Sequence, residues 1–284
     1  MNQVVTAIMY AIILHSVVPV RTEPREGAEQ DTQLLFGEVC RITETLPRWY
    51  KIRNEADGAE GYVDAIMVTP LSEEEYTAYS AALAASQARV MLPMTYAVSE
   101  NNGQTIPLTM GTRLAGYKDG SFNVLGVSFR IDSAAVAEQP LTMQPNTLMQ
   151  VMRFLLNTPY LWGGKNALGM DCSGMTQTVM SLFGVQLPRN ASQQVKCGDE
   201  VKSLSEARAG DLVFFDHADP SCDGNLPHNC NGDTRITHVG MLLDSERVMH
   251  CSGRVKIEQI DMRGIHSTER GAYTHHLAAI RRMQ

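Results

Sequence analysis

The sequence predicts an α+β protein in which a C-terminal domain of helices followed by strands is preceded by two small all-β barrels. Three observations carry this. Residues 8–70 hold short β-prone runs punctuated by Gly and Pro, the spacing of a small antiparallel barrel. Residues 90–140 return to strand character, with turns at Gly103, Gly111, Gly116, Gly120 and Gly126. Beyond residue 144, two apolar helical stretches come before three runs that read as buried strands, the order of an α+β domain. The expected boundaries are 1–71, 72–143 and 144–284.

Taken in order, the first barrel draws on Ile8–Leu14, Val17–Pro24, Gln33–Phe36, Glu38–Thr43, Trp49–Arg53 and Gly61–Ala65. Its segment Arg21-Thr-Glu-Pro24 after an early strand, and Trp49-Tyr-Lys-Ile-Arg53 followed by Gly61-Tyr-Val63, resemble the bacterial SH3-like barrel. That resemblance implies a targeting or specificity module rather than a catalyst. Residues 72–89 read as a connecting helix, opened by a Ser72/Glu75 capping box and continued by alanines of high helix propensity. The second, degenerate barrel draws on Ala88–Leu92, Arg113–Tyr117 and Phe122–Val127. The C-terminal domain opens with an apolar helix at Thr147–Leu156. A second helix over 172–183 follows, closed by Gly184, and then strands at Gly210–Phe215, Thr237–Leu243 and Arg247–Cys251.

Composition excludes some classes. The chain of 284 residues is 44% hydrophobic and 19% charged, an ordinary globular balance. Its net charge of −7, without a basic stretch, argues against a nucleic-acid partner. Six cysteines are too sparse for a disulfide scaffold at this length. The apolar first 20 residues lack Lys or Arg before Arg21 and an A-x-A cleavage site, and are too short and polar to span a membrane. They read as a strand, with no transmembrane segment expected.

The chemistry centres on Cys172, which follows Asp171 at the mouth of a helix. A helix N-terminus favours a thiolate, which predicts a lowered thiol pKa, and its free N–H groups suit an oxyanion. Asp171 is also a candidate cap for that helix. A cysteine nucleophile needs a base and a group to orient it. Among eight histidines, His238 and His250 fall in adjacent strands joined by a turn at Asp244–Glu246. Their even separation lets both face one side of a hairpin, opposite or diagonal according to register. Cys251 then points to the other face, and it and Cys197 are expected to be unreactive. Trp162 reads as a core aromatic.

Five motifs occur in order over residues 159–241: Pro159-Tyr-x-Trp-Gly-Gly164, Asp171-Cys-Ser-Gly174 with Gln177, Leu187-Pro-Arg189 with Gln193-Gln194, Gly210-Asp-Leu-Val-Phe-Phe215, and His238-Val-Gly-Met241. Together they resemble the NlpC-type cysteine peptidases of bacterial cell-wall metabolism, which have a reduced papain-like fold. The resemblance implies Cys172 as nucleophile, His238 as general base and His250 as the residue that orients it. It also implies Tyr160 beside the tetrahedral intermediate, and Asp171 and Ser173 lining the pocket for the acyl side of the substrate. Members with SH3-like barrels ahead of the peptidase resemble γ-D-glutamyl-L-diamino acid endopeptidases. These act on murein-derived peptides (L-Ala-γ-D-Glu-diamino acid, the last being diaminopimelate or lysine) with a free N-terminal L-alanine. Glu60 and Tyr96 are the candidates for binding that free amine. Asn190 stands where such relatives often carry Asp, so it adds a hydrogen-bonding group without charge.

The resemblance further implies a bacterial envelope location, the chain being periplasmic or exported with its signal segment absent from this sequence; the cytoplasm is the alternative. A monomer is expected, and no cofactor or metal. An apparent insertion between Phe215 and His238 carries His217, Cys222, His228 and Cys230. Its spacing matches no standard zinc pattern, whereas a Cys222–Cys230 disulfide suits an exported chain and a plain surface lid stays open. Two rival functions stand beside the peptidase: an inert murein-peptide binding protein, and an amidase or acyltransferase on the same fold.

Overall fold

The computed structural model describes residues 9–216 and 236–284, which divide into two compact units, one ending at Pro140 and the other starting at Leu141. In the first unit, seven antiparallel strands form one sheet: β1 (Met9–Ile12), β2 (Val17–Arg21), β3 (Gln30–Leu35), β4 (Val39–Thr45), β5 (Trp49–Asn54), β6 (Glu60–Asp64) and β7 (Thr69–Leu71). Their order is β3-β2-β6-β5-β4-β1-β7. Alternate residues such as Val18, Val20, Leu34, Ile52 and Val63 turn inward to make its core, as the period-two pattern requires. Helix α1 (Glu73–Ala85) starts at a true capping box: the Ser72 hydroxyl accepts from the Glu75 N–H, and the Glu75 carboxylate accepts from the Ser72 N–H.

A short pair, β8 (Arg89–Val90) with β13 (Val136–Ala137), flanks a four-stranded sheet. Its strands are β9 (Met94–Ser99), β10 (Thr105–Thr109), β11 (Ser121–Val124) and β12 (Val127–Ile131), ordered β10-β9-β12-β11. Two expectations change here. Arg113–Tyr117 is not a strand but a turn with one isolated pairing, Arg89 with Arg113. The missed strands β9 and β10 are half-exposed and mix apolar with polar residues, and β10 carries Pro107, tolerated because β10 is an edge strand. The first sheet ends at Leu71 and the second follows α1, both within the first unit. Ile12, Phe36 and Leu71 from the first sheet, Tyr79 of α1, and Val90, Leu108 and Phe122 share one apolar cluster.

The second unit begins with α2 (Pro145–Arg153), whose Leu148, Val151 and Met152 are buried. A small hairpin, β14 (Lys165–Asn166) and β15 (Gly169–Met170), leads to α3 (Cys172–Leu182), and α4 (Ala191–Gln194) follows. The remaining strands are β16 (Asp199–Glu200), β17 (Leu212–Asp216), β18 (Ile236–Leu242), β19 (Arg247–Ser252), β20 (Arg254–Asp261), β21 (Gly264–Ser267) and β22 (Ala272–Arg282). They form an antiparallel sheet ordered β16-β22-β17-β18-β19-β20-β21, and β21 pairs back onto β22 to close a ring. Only β17, β18 and β19 were expected. The three strands that follow are more amphipathic, and β22 is half-exposed along most of its length.

Helix α3 packs on β18 and β19 with nearly every residue buried, its polar ones included. Each of those polar side chains needs a partner, because burying an unpaired polar group is costly. The Gln177 amide donates to the Leu187 carbonyl at 2.9 Å, and Thr176 and Gln194 side chains meet at 2.8 Å. The Gln194 amide in turn donates to the carbonyls of Ser173 and Pro188. This clamp ties the helix to the 187–194 segment. The helix ends at Gly184 as expected: the Gly184 N–H donates to the Ser181 carbonyl and the Val185 N–H to that of Met180, a Schellman closure.

Candidate active site

Asp171 is the N-cap of α3 and places Cys172 at the first helical position. Its carboxylate is fully engaged within the protein. One oxygen accepts from the Gly174 N–H (2.7 Å), the Ser173 hydroxyl (3.2 Å) and Arg189 Nη1 (3.0 Å). The other accepts from the Gly163 N–H (2.9 Å) and Arg189 Nη2 (2.6 Å). Arg189 is 2% exposed, so this is a buried, bidentate ion pair. Arg189 also donates to the Ser173 hydroxyl at 2.9 Å. The capping reading of Asp171 therefore holds, and its charge is paired with that of Arg189. Arg189 itself was quoted in the Leu-Pro-Arg motif without a role, since a pairing across 18 residues has no local signature.

The Cys172 thiol departs from expectation in one respect. It is 8% exposed, and burial pushes it up to about 11, the Asp171 carboxylate adding to the effect. The backbone N–H groups of Val239 and Ser173 and the charge of Arg189 pull the other way without overcoming the loss of water. A helix tip alone does not make this thiol a thiolate. The Val239 contact matters for another reason, because it sets the sulfur against the backbone immediately after His238.

His238 and His250 lie on one face of the β18–β19 hairpin, as their even spacing requires, and the register makes them diagonal. Gly240 stands opposite His250, and Met241 opposite Met249. A Cβ on Gly240 would meet the Val248 side chain at 2.6 Å and the His250 Cβ at 3.2 Å. The missing side chain leaves His250 room to reach across, and His238 Nε2 lies 2.9 Å from His250 Nδ1. On the far side, His250 Nε2 lies 2.8 Å from Glu258 Oε2. His250 is completely buried, His238 and Glu258 nearly so. Burial lowers the His250 imidazole, favouring its neutral form. Burial raises Glu258, but its contact with His250, the nearby Ser267 hydroxyl and the Lys256 ammonium outweigh that and hold the carboxyl at about 2.

Glu258 escaped the sequence reading. Its signal was the Ser252-Gly253 turn and the alternation after it, which pair β20 with β19 and set Val248 opposite Glu258, one diagonal step from His250. His275 was also missed. It comes from β22, and its ring stacks on His238 with centroids 4.3 Å apart and planes 29° apart. Ring nitrogens of His238, His250 and His275 lie within 4.8 Å of one another, which raises the question of a metal ion. The geometry does not fit one. Both His250 nitrogens are engaged, and the near-parallel rings of His238 and His275 cannot aim their in-plane lone pairs at one point.

The other expected residues fall as follows. Tyr160 is partly exposed beside Cys172, its hydroxyl raised by burial and by the neighbouring Cys172 and Asp171. Trp162 is 56% exposed and not a core residue, because Leu161, Gly163 and Gly164 are pinned by Met170, Asp171 and Leu161 in a tight turn that turns its ring outward. Asn190 is the exposed N-cap of α4, and its N–H donates to the Gln193 side chain. Glu60 opens β6 and Tyr96 lies on β9, both exposed and both in the first unit. Cys251 is buried, donates to the Met170 carbonyl at 3.1 Å, and is pushed up to about 12 by burial and the neighbouring Cys172 and Asp171. His217, Cys222, His228 and Cys230 lie outside the described residues.

Residues 157–281 match the NlpC/P60 family, and residues 20–65 match the bacterial dipeptidyl-peptidase SH3 domain. The γ-D-glutamyl-L-lysine dipeptidyl-peptidase of Bacillus subtilis is 28% identical over 236 residues, covering 77% of this chain and 71% of that protein. The bifunctional muramidase/DL-endopeptidase CwlT of the same organism is 38% identical over 93 residues, covering 32% of this chain and 24% of that protein. An NlpC/P60 family protein from Bacillus cereus shares the fold, with a TM-score of 0.74 at 18% identity over 96% of this chain and 99% of that one. With a helix-tip cysteine, two coupled histidines and both domain matches in sequence, the chain carries an NlpC/P60 cysteine peptidase domain over residues 157–281, preceded by a bacterial SH3 domain over residues 20–65.

Proposed function

We propose that the chain cleaves the γ-D-glutamyl-L-diamino acid bond of short murein peptides that begin with a free L-alanine. The observation that carries this reading is the likeness to the Bacillus subtilis γ-D-glutamyl-L-lysine dipeptidyl-peptidase, which spans 77% of the chain and so extends well beyond the peptidase unit. In the proposed reaction His238 takes the proton of the Cys172 thiol as sulfur attacks the γ-glutamyl carbonyl. N–H groups of the first turn of α3 hold the oxyanion. His238 then returns the proton to the leaving amine, and water hydrolyses the thioester. Tyr160, Asp171, Ser173 and Asn190 are the proposed contacts on the acyl side. A substrate released from the wall suits an exported or envelope location.

A thiol with a pKa near 11 makes the base indispensable, because sulfur is protonated at neutral pH until His238 acts. The test uses L-Ala-γ-D-Glu-L-Lys and its diaminopimelate counterpart, each with free and acetylated N-termini, followed by mass spectrometry. Release of L-Ala-γ-D-Glu from the free peptides, with little from the acetylated ones, is expected. Equal cleavage of both forms would refute the free-amine requirement.

A further inference from the structure

Behind the two histidines stands a group that neither touches the sulfur nor can reach a substrate. We propose that Glu258 is a positioning residue that determines, through His250, which nitrogen of His238 carries a proton, so that Nδ1 of His238 is left bare to receive the proton of Cys172. The inference rests on the cysteine-peptidase reading of this site and adds a residue to it.

An ionised carboxylate only accepts, so the 2.8 Å contact requires a proton on His250 Nε2. His250 is deep in the protein and neutral, so its Nδ1 carries a lone pair and no proton. The 2.9 Å contact between His250 Nδ1 and His238 Nε2 then requires the proton to sit on His238 Nε2. Neutral His238 has only one N–H, and its Nδ1 is therefore the base. When it accepts the thiol proton, the imidazolium keeps its Nε2–H directed at His250, and the Glu258 charge lies at the end of the same line.

The surroundings favour an ionised Glu258. Lys256 Nζ lies 3.3 Å from its Oε2, and Ser267 of β21 lies nearby. Lys256 is itself shared with Glu269, also at 3.3 Å. The other titratable groups beside the relay are His250 on β19, His238 on β18 and His275 on β22. Two successive diagonal contacts, across β18/β19 and then β19/β20, deliver the three side chains in a row. A carboxylate that merely filled space here would be a poor choice, since an unpaired buried charge is strongly disfavoured.

Glu258→Gln keeps the shape and removes both the charge and the strict acceptor character, since the amide can also donate. It is expected to lower kcat by roughly 10- to 100-fold with KM little changed, in line with losses from orienting groups behind a reactive centre. The limb of the pH–rate profile set by the His238 imidazolium moves to lower pH. In a His250→Asn background the same change has nothing to act through and leaves kcat where it was, whereas a structural role would cost activity in both backgrounds. Nitrogen-15 NMR of the resting wild-type protein needs no activity and stands even if the proposed peptide is not the substrate. Protonated Nε2 and bare Nδ1 at His238 are expected, with both signals redistributed in Glu258→Gln and restored in part in Glu258→Asp. A proton on His238 Nδ1 in the wild type, or a fully additive loss in the double variant, would overturn the proposal.

Discussion

At Cys172 two influences oppose each other. The first turn of a helix stabilises negative charge by a few tenths to about 1 kcal/mol, whereas removal from water penalises a thiolate far more when the site is nearly closed. Burial wins, and the thiol rises to about 11. Only an adjacent neutral imidazole, taking the proton as sulfur attacks, can bring the sulfur into use near neutral pH. In a His238→Ala variant, iodoacetamide should therefore label Cys172, identified by peptide mapping, at a rate that keeps climbing well above the range of an ordinary thiol, since burial still opposes the thiolate. The wild-type profile should rise at clearly lower pH. A variant that labels like a free thiol, near pH 8.5, would show that burial does not govern this sulfur. The pairing of His238 with His250 was legible in the sequence because strand parity is local. The direction of the thiol's shift was not, since it depends on what covers the sulfur from distant strands. The Asp171–Arg189 pair was hidden for the same reason.

At the scale of elements, α3 is fixed by close approach as much as by hydrogen bonds. A Cβ at Gly174 would come within 2.1 Å of the Gly164 carbonyl oxygen and 3.1 Å of Asp171 Oδ1. The obstacle at Gly164 is backbone, which cannot rotate away, so the aromatic turn and the helix tip would have to separate. Gly174→Ala is expected to lose about 2 kcal/mol or more of stability, within the range for strain in a packed interior, and to lower kcat with it. Urea denaturation and a peptide assay check both, and a variant with wild-type midpoint and rate would contradict the tight apposition. The α1 capping box and the glycine closure of α3 were readable because each is written within a few residues. Strands β9, β10, β20, β21 and β22 were missed because their faces are mixed. What makes them strands is their neighbours, and it is β20 that brings Glu258 to His250.

The whole chain combines a peptidase unit with an N-terminal unit whose first sheet carries the SH3 match. The fold class was readable from strand spacing and from the order of helices and strands. The core shared between Leu71, Tyr79 and Phe122 was not, because such contacts leave no mark in local sequence. Among the described residues no helix is long and apolar enough to cross a membrane. The central proposal at this scale is that peptide cleavage passes through the sulfur of Cys172. The most direct measurement incubates wild type and Cys172→Ala with L-Ala-γ-D-Glu-L-Lys and follows free lysine and L-Ala-γ-D-Glu by mass spectrometry. Steady release by the wild type and none above background by the variant is the predicted result. Release at the same rate by both would contradict the account.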